Sequence, residues 1–354
     1  MAKKKKRTTT APPDPVLSSL PGDITSNIYS DFATQLSRNG ILDLTHSTPP
    51  ANLKSLRDCL AESHATSTSL KPTYEDYIDT IRGAVNKETL VAEMLLLFDA
   101  HPQKQHRRAL NEPFTGFPTD IGFNDGLPAP QPHYLESLRV QDYHPFLIDE
   151  HIKCAVPAFH KHNHDHSIVL PHLAGDWAGP GESLGKARLR SAYHGAALVY
   201  CRNRALEYTD SSDPLGHARI ITFITDGTTL VFFAHWMRSR VECYGEVSEY
   251  HQYPIVVINL TGSHAEFKRG RETIRYFQES AGNRSCELRD RLLQQWGRTH
   301  SGLWKDKHDD EQGNDLEDIV NDNCDDDDIY TLRNKPKEIV AEVEVEDDDF
   351  VIIN

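Results

Sequence analysis

Residues 167–182, SIVLPHLAGDWAGPGE, decide the fold of the central part of the chain. The stretch begins with a β-prone apolar run and passes through small residues to Asp176. A Gly-Pro-Gly break follows, and from 182 to 207 the apolar side chains recur at helical spacing. The pattern therefore predicts a strand that presents Asp176 at its end, directly followed by a long helix.

Further helices and strands flank this stretch. Helical patterns cover 23–38, 51–63, 73–99, 182–207 and 263–296. Strand patterns cover 133–140, 145–156, 217–225, 229–237 and 250–260. Asp226-Gly227 indicates a β-hairpin, and the Gly- and Pro-rich residues 111–132 indicate a long loop. This order predicts a mixed α/β core of about 200 residues behind a helical N-terminal segment.

The two ends of the chain differ from this core in composition. Residues 306–354 carry 19 acidic and four basic side chains, so this tail accounts for the whole net charge of −15. Residues 3–7 are KKKKR, and a Thr- and Pro-rich stretch follows them. Both compositions favour disorder. We therefore expect four segments, a disordered basic 1–22, a helical 23–72, a folded 73–298 and an acidic disordered 305–354.

The composition also restricts the class of protein. None of the six cysteines belongs to a CxxC pair, so no zinc module is indicated. No apolar stretch approaches the roughly 20 residues that a membrane span needs. The sequence therefore predicts a soluble protein of a reducing compartment with free thiols and no membrane partner.

Five blocks of the chain resemble a known group of proteins. They are FTGFPTDIGFNDGLPAPQPHYLESL, LPHLAGDWAGPG, SAYHGAALVYCRN, DPLGHARIITFITDGTTL and EYHQYP. They resemble blocks in a large, mostly uncharacterised group of fungal proteins that is similar to the PD-(D/E)XK, or restriction-endonuclease-like, nuclease superfamily. The resemblance covers roughly residues 73–298 and implies a mixed sheet flanked by helices.

The resemblance also implies a metal site. In the superfamily, carboxylates at the ends of adjacent strands bind Mg²⁺, and a lysine assists the attacking water. Asp176 occupies the second carboxylate position of this motif, whereas His133 stands at the first and Ala178 at the lysine. Glu136 follows His133 by three residues. The resemblance thus implies Asp176, Glu136 and His133 as metal ligands, although an imidazole suits zinc or nickel better than magnesium.

Two residues are candidates for restoring the missing chemistry. Lys186 shares one face of the predicted helix with Arg190 and His194, where a relocated lysine is found in some members of the superfamily. Glu93, on the helix before the strands, is a candidate for a further carboxylate. The alternative, which we favour, is that Lys186 and Glu93 belong to ordinary solvated helix faces.

Three functions therefore stay open, and whether the protein is an enzyme stays open with them. The first is a degenerate nuclease-like domain, a pseudoenzyme that acts in the nucleus mainly by binding nucleic acid or protein. The second is an active Mg²⁺-dependent DNA endonuclease that uses Asp176, Glu136 or Glu93, and Lys186. The third is a scaffold that acts through its acidic tail.

The termini predict partners of their own. Residues 3–7 fit a nuclear-import segment read by an import receptor, so we expect a nuclear rather than a cytoplasmic protein. At the C-terminus, an apolar run follows the acidic residues 346–349 and resembles a SUMO-interacting motif, which adds a strand to the sheet of a SUMO-like modifier. The run consists of Phe350, Val351, Ile352 and Ile353. A strand packed on its own domain is the alternative.

A histidine tract is the last candidate site. His160, His162, His164 and His166 alternate along the chain, so an extended backbone would direct all four to one side. Such a tract can bind a divalent transition metal, but a variable polar loop has the same composition.

Overall fold

The computed structural model describes residues 27–42, 44–63, 74–98, 106–160, 166–242 and 245–309. Its strands are β1 (Ile41–Leu42), β2 (His106–Leu110), β3 (Tyr134–Leu138), β4 (Val169–Trp177), β5 (Ile220–Thr225), β6 (Thr229–Glu242) and β7 (Gly245–Asn259). Its α-helices are α1 (Asn27–Arg38), α2 (Leu53–Ser63), α3 (Tyr74–Gly83), α4 (Lys87–Phe98), α5 (Ile148–His151), α6 (Leu184–Tyr208) and α7 (His264–Asp309). The import segment, the C-terminal apolar run and most of the histidine tract lie outside these residues.

The strands form one mixed sheet in the order β1-β7-β6-β5-β4-β3-β2. β4 runs parallel to β5 and β1 runs parallel to β7, while the other neighbours are antiparallel. The predicted α/β class is therefore confirmed. The predicted strand that ends near Asp176 is β4, and the long helix that follows it is α6.

Helices cover both faces of this sheet. α6 packs on one face against β4, β5 and β6. On the other face α7 places the ring of Phe277 4.6 Å from that of Phe232 in β6, measured between centroids. α4 lies on this second face too, where Met94 Sδ accepts a hydrogen bond from the Trp177 indole at 3.3 Å. Side chains from alternate positions of β4 therefore enter two different layers.

The segment 145–156 is helical, which corrects the expectation of a strand. The Ile152 amide donates to the Ile148 carbonyl at 2.8 Å, and the Ala155 amide donates to the Ile152 carbonyl at 2.8 Å. These local bonds define α5 and a short 3-10 helix at Lys153–Ala155. Ile148 and Ile152 are both buried, so one helical turn, rather than a sheet, buries the apolar side chains.

The boundaries of other elements differ from the expectation as well. The pattern at 73–99 divides into α3 and α4, because Asn86 caps α4 by accepting a hydrogen bond from the Thr89 amide at 2.8 Å. β2 was not expected from the sequence, since its residues, HRRAL, include two arginines. The last helix continues to Asp309 instead of ending near Trp296.

The contact between α6 and the sheet depends on one glycine. Gly195 lies against the ring of His235 in β6, and an added Cβ would overlap that ring. We expect Gly195→Ala to lower the free energy of unfolding by about 3 kcal/mol, because the helix would have to move away from a well-packed layer.

Gly297 provides a matched control for this test. It also lies in a helix, α7, but an added Cβ there meets open space. Gly297→Ala is expected to raise the free energy of unfolding by up to about 1 kcal/mol through helix propensity alone. Urea unfolding of both variants gives the comparison, and equal changes at the two positions would contradict the close-packing argument.

Candidate functional site

The register of β3 and β4 brings His133 beside Asp176. Tyr134 pairs with Gly175 in the antiparallel ladder, so the preceding residue, His133, lies opposite Asp176. The His133 Nδ1 atom is 3.4 Å from Asp176 Oδ1. Two residues that are 43 positions apart in the sequence therefore share one end of the sheet.

Asp176 is buried and surrounded by potential cations. It is 1 % exposed, and its Oδ2 is 2.8 Å from Nδ1 of His194 on α6. Its Oδ1 lies 3.5 Å from Nε of Arg190, one helical turn away from His194. Burial alone would raise the pKa of Asp176, but His194, Arg190 and His133 outweigh burial and hold this pKa below its ordinary value. Asp176 is therefore an ionised carboxylate.

His133 is held as a neutral imidazole. Its Nδ1 accepts a hydrogen bond from the Trp177 amide at 2.9 Å. Nε2 is 2.5 Å from Nζ of Lys87 at the start of α4. Burial lowers the pKa of His133 to about 4, against the effect of Asp176, and burial with Arg190 lowers the pKa of Lys87.

Arg190 connects the site to the turn before α6. Its NH1 donates to Glu182 Oε1 at 2.6 Å, and its NH2 donates to the Trp177 carbonyl at 3.1 Å. Glu182 Oε2 in turn accepts from the Gly179 amide at 3.2 Å. Ala178, at the lysine position of the motif, is completely buried among apolar side chains. We call His133, Asp176, Arg190, His194, Lys87 and Glu182 the Asp176 cluster.

Glu136 does not belong to the Asp176 cluster, contrary to the expectation of a shared metal site. It pairs with Leu173, which lies three positions before Asp176 along β4, so the two carboxylates point to opposite faces. The contacts agree, because Glu136 accepts a hydrogen bond from Gln278 on α7. Asp176 meets α6 instead.

Glu136 has its own polar surroundings on the α7 face. Its Oε1 accepts from the Tyr134 hydroxyl and from Gln278, and it lies 3.3 Å from Nε of Arg108. One potential ligand atom from each of His106, Glu136 and His172 lies within 4.8 Å of the other two. Sequence reasoning missed both histidines, since His106 lies in an unpredicted strand and His172 looks like a residue of a buried strand.

The two candidates for restoring catalysis are placed differently. Lys186 is half-buried on α6, one turn before Arg190, as the helical spacing predicted. Glu93 is half-buried on α4. Lys87, which the sequence did not single out, touches His133.

Comparisons with protein-family models, with curated proteins and with solved structures find no match for this chain. Within the described ranges, no helix is long and apolar enough to cross a membrane. The structure is that of a mixed α/β protein with a buried polar cluster on each face of its sheet.

Proposed function

We propose that residues 73–298 form a nuclease-like domain without cleavage activity, and that the protein acts in the nucleus mainly by binding nucleic acid or a protein partner. One observation carries the absence of cleavage, namely that Asp176 is buried with His194 2.8 Å from its Oδ2 and the Arg190 guanidinium 3.5 Å from its Oδ1. Among the described residues Asp176 Oδ1 accepts no hydrogen bond, but the guanidinium beside it opposes a hard cation such as Mg²⁺, which also needs several oxygen ligands.

An active magnesium-dependent endonuclease has less support. Such an enzyme needs a second carboxylate beside Asp176, but Glu136 faces the other side of the sheet. Glu182, which does lie in the Asp176 cluster, is bound by Arg190. The cluster does contain one additional amine, Lys87, yet its neighbour is the imidazole that replaces a metal-binding carboxylate.

A cleavage assay tests the loss of activity. Purified full-length protein is incubated with supercoiled plasmid and with labelled single- and double-stranded oligonucleotides, in the presence of Mg²⁺ or Mn²⁺. We expect no more cleavage than with Asp176→Asn, and the surface variant Asp58→Asn serves as a matched control. Cleavage by the wild type and by Asp58→Asn that disappears in Asp176→Asn would overturn the proposal.

Binding is tested separately from cleavage. Lys186 and Arg188 lie near the start of α6 and Lys87 lies at the start of α4, so basic residues occur near the end of the sheet that holds Asp176. If nucleic acid is the partner, the affinity for a labelled duplex falls steeply with salt, because cations are released from the phosphates. No binding of DNA or RNA at low salt would restrict the partner to a protein. The import segment, the SUMO-interacting motif and the acidic-tail scaffold stay predictions outside the described residues.

A further inference from the structure

We propose that His106, Glu136 and His172 bind a divalent transition metal, with zinc as the first choice. The three residues come from the neighbouring strands β2, β3 and β4. Two imidazoles and one carboxylate form a donor set that suits zinc and leaves one coordination position open. This site lies on the face of the sheet opposite the Asp176 cluster, so it does not depend on the function proposed above.

Four polar atoms of the triad have no hydrogen-bond partner among the described residues. Glu136 is 2 % exposed and His172 is 5 % exposed. Among the described residues, no hydrogen bond reaches Glu136 Oε2, His106 Nε2 or either ring nitrogen of His172. Buried polar atoms are almost always satisfied in folded proteins. A metal ion shared by three such atoms would satisfy them together.

The surroundings hold these ligands in place. Glu136 Oε1 accepts hydrogen bonds from the Tyr134 hydroxyl and from Gln278, which leaves Oε2 for a metal. The His106 ring packs against Gly282 of α7, where an added Cβ would overlap it. The rings of His106 and His172 are 5.2 Å apart between centroids.

An irregularity in the sheet brings His172 to this site. β3 and β4 change register between Glu136 and Leu138, so that three residues, 170–172, lie opposite the single Ser137. Leu170 has a φ of 42°, which is uncommon for a residue with a branched side chain. Such irregularities re-aim side chains, and they recur next to functional sites.

Charge and size determine the expected strength of the site. Burial lowers the pKa of both His106 and His172, which favours the neutral imidazoles that bind metals. Tetrahedral zinc would hold its ligand atoms about 3.4 Å apart, which lies within the 4.8 Å limit that the triad meets, and His106 is only half-buried. Arg108 beside Glu136 opposes a cation, and we expect weaker binding than at a closed structural zinc site.

Titration with Co²⁺ as a spectroscopic probe tests the proposal on the full chain. A variant with glutamine at positions 160, 162, 164 and 166 removes the histidine tract, and we expect it to keep one bound Co²⁺ with the visible bands of a four- or five-coordinate site. In this background, His106→Gln and His172→Gln are expected to weaken binding by more than about 100-fold, and Gln278→Ala by about tenfold. Asp176→Asn is expected to bind as before.

Two results would overturn the proposal. One is loss of the bound Co²⁺ when only the tract is replaced, which would assign the metal to the tract. The other is unchanged affinity in His106→Gln, a half-buried position at the edge strand, with the circular dichroism of the wild type. If His172→Gln does not fold, X-ray absorption of the zinc-loaded tract variant decides instead. A zinc ion coordinated by two imidazoles and by oxygen atoms would support the triad. A zinc ion with no imidazole among its ligands would contradict it.

Discussion

Asp176→Ala is expected to lower the free energy of unfolding by about 3 kcal/mol, because it removes the carboxylate that contacts the buried His194 and lies beside Arg190, which keeps its ion pair with Glu182. Asp176 is 1 % exposed, so water cannot replace the lost partner without rearrangement. Urea unfolding at neutral pH measures the effect. The result also bears on function, since it separates a structural carboxylate from a catalytic one.

A carboxylate kept for metal binding would behave differently. Catalytic groups are often poorly satisfied in the unliganded protein, and replacing them commonly leaves stability unchanged or raises it. Asp58, whose ion pair with Lys54 is exposed, is the matched control, and Asp58→Asn is expected to change stability by less than about 1 kcal/mol. An unchanged or increased free energy of unfolding in Asp176→Ala would contradict the structural role of the Asp176 cluster.

A double variant that combines Asp176→Asn with Arg190→Gln tests one contact of the Asp176 cluster, the contact between Asp176 and Arg190. If Asp176 and Arg190 act together, the effects of Asp176→Asn and Arg190→Gln are less than additive, because the second change removes a partner that has already lost its function. Their difference from additivity gives the coupling between the two side chains. Strictly additive effects on stability would show that Arg190 interacts with Glu182 and the Trp177 carbonyl but not with Asp176.

The strand, turn and helix around Asp176 could be predicted because their signals are local. An apolar run, a Gly-Pro-Gly break and helical spacing lie within about 40 consecutive residues. The same spacing correctly put Arg190 and His194 on one side of α6. Ser183 caps this helix by accepting a hydrogen bond from the Gly185 amide at 3.0 Å. None of these features depends on a distant part of the chain.

The position of Glu136 shows what the expected metal site overlooked. His133 and Glu136 are three residues apart, and side chains three apart in a strand point to opposite faces. The sequence therefore already argued against a site that contains both. The resemblance placed them together because it compares positions along the chain and contains no information on faces.

Other parts of the two clusters could not be read from local patterns. Lys87 meets His133 across 46 residues, and His106 meets His172 across the sheet. β2 has charged residues in an edge strand, which resembles a solvated loop in its composition. Only the pairing of β2 with β3 and the register shift of β4 determine that these side chains converge.

Acidification is expected to destabilise the protein through its buried neutral histidines, at a higher pH than the pH at which carboxylates become protonated. Burial lowers the pKa of His235 to about 3 and that of His133 to about 4, whereas histidine in an unfolded chain has a pKa of about 6.5. His235 is enclosed by Thr222 of β5, which is 2.7 Å from its Nε2, and by Gly195 and His194 of α6. Lys87, Asp176, Arg190 and His194 surround His133.

The sign of the effect follows from these values. Between the folded and unfolded pKa values the unfolded chain binds more protons, so the free energy of unfolding falls as the pH drops below about 6.5. Each of the two histidines contributes a loss of about 2 kcal/mol between about pH 7 and about pH 5. Asp176 loses its contribution to stability only at a lower pH. Its pKa in the folded protein is below the ordinary value, so the carboxylate stays ionised until the pH falls through that folded pKa.

Urea unfolding at several pH values tests this prediction on the wild type and on His235→Asn. The variant is expected to be less stable at neutral pH, but its free energy of unfolding should decline less on acidification, by up to about 1.4 kcal/mol per pH unit. His264→Asn, an exposed position on α7, is expected to retain the wild-type slope. If His235→Asn and the wild type decline in parallel between about pH 6.5 and about pH 5, His235 takes up a proton in the folded protein. The interpretation that Gly195 of α6 packs against a neutral His235 ring would then be wrong.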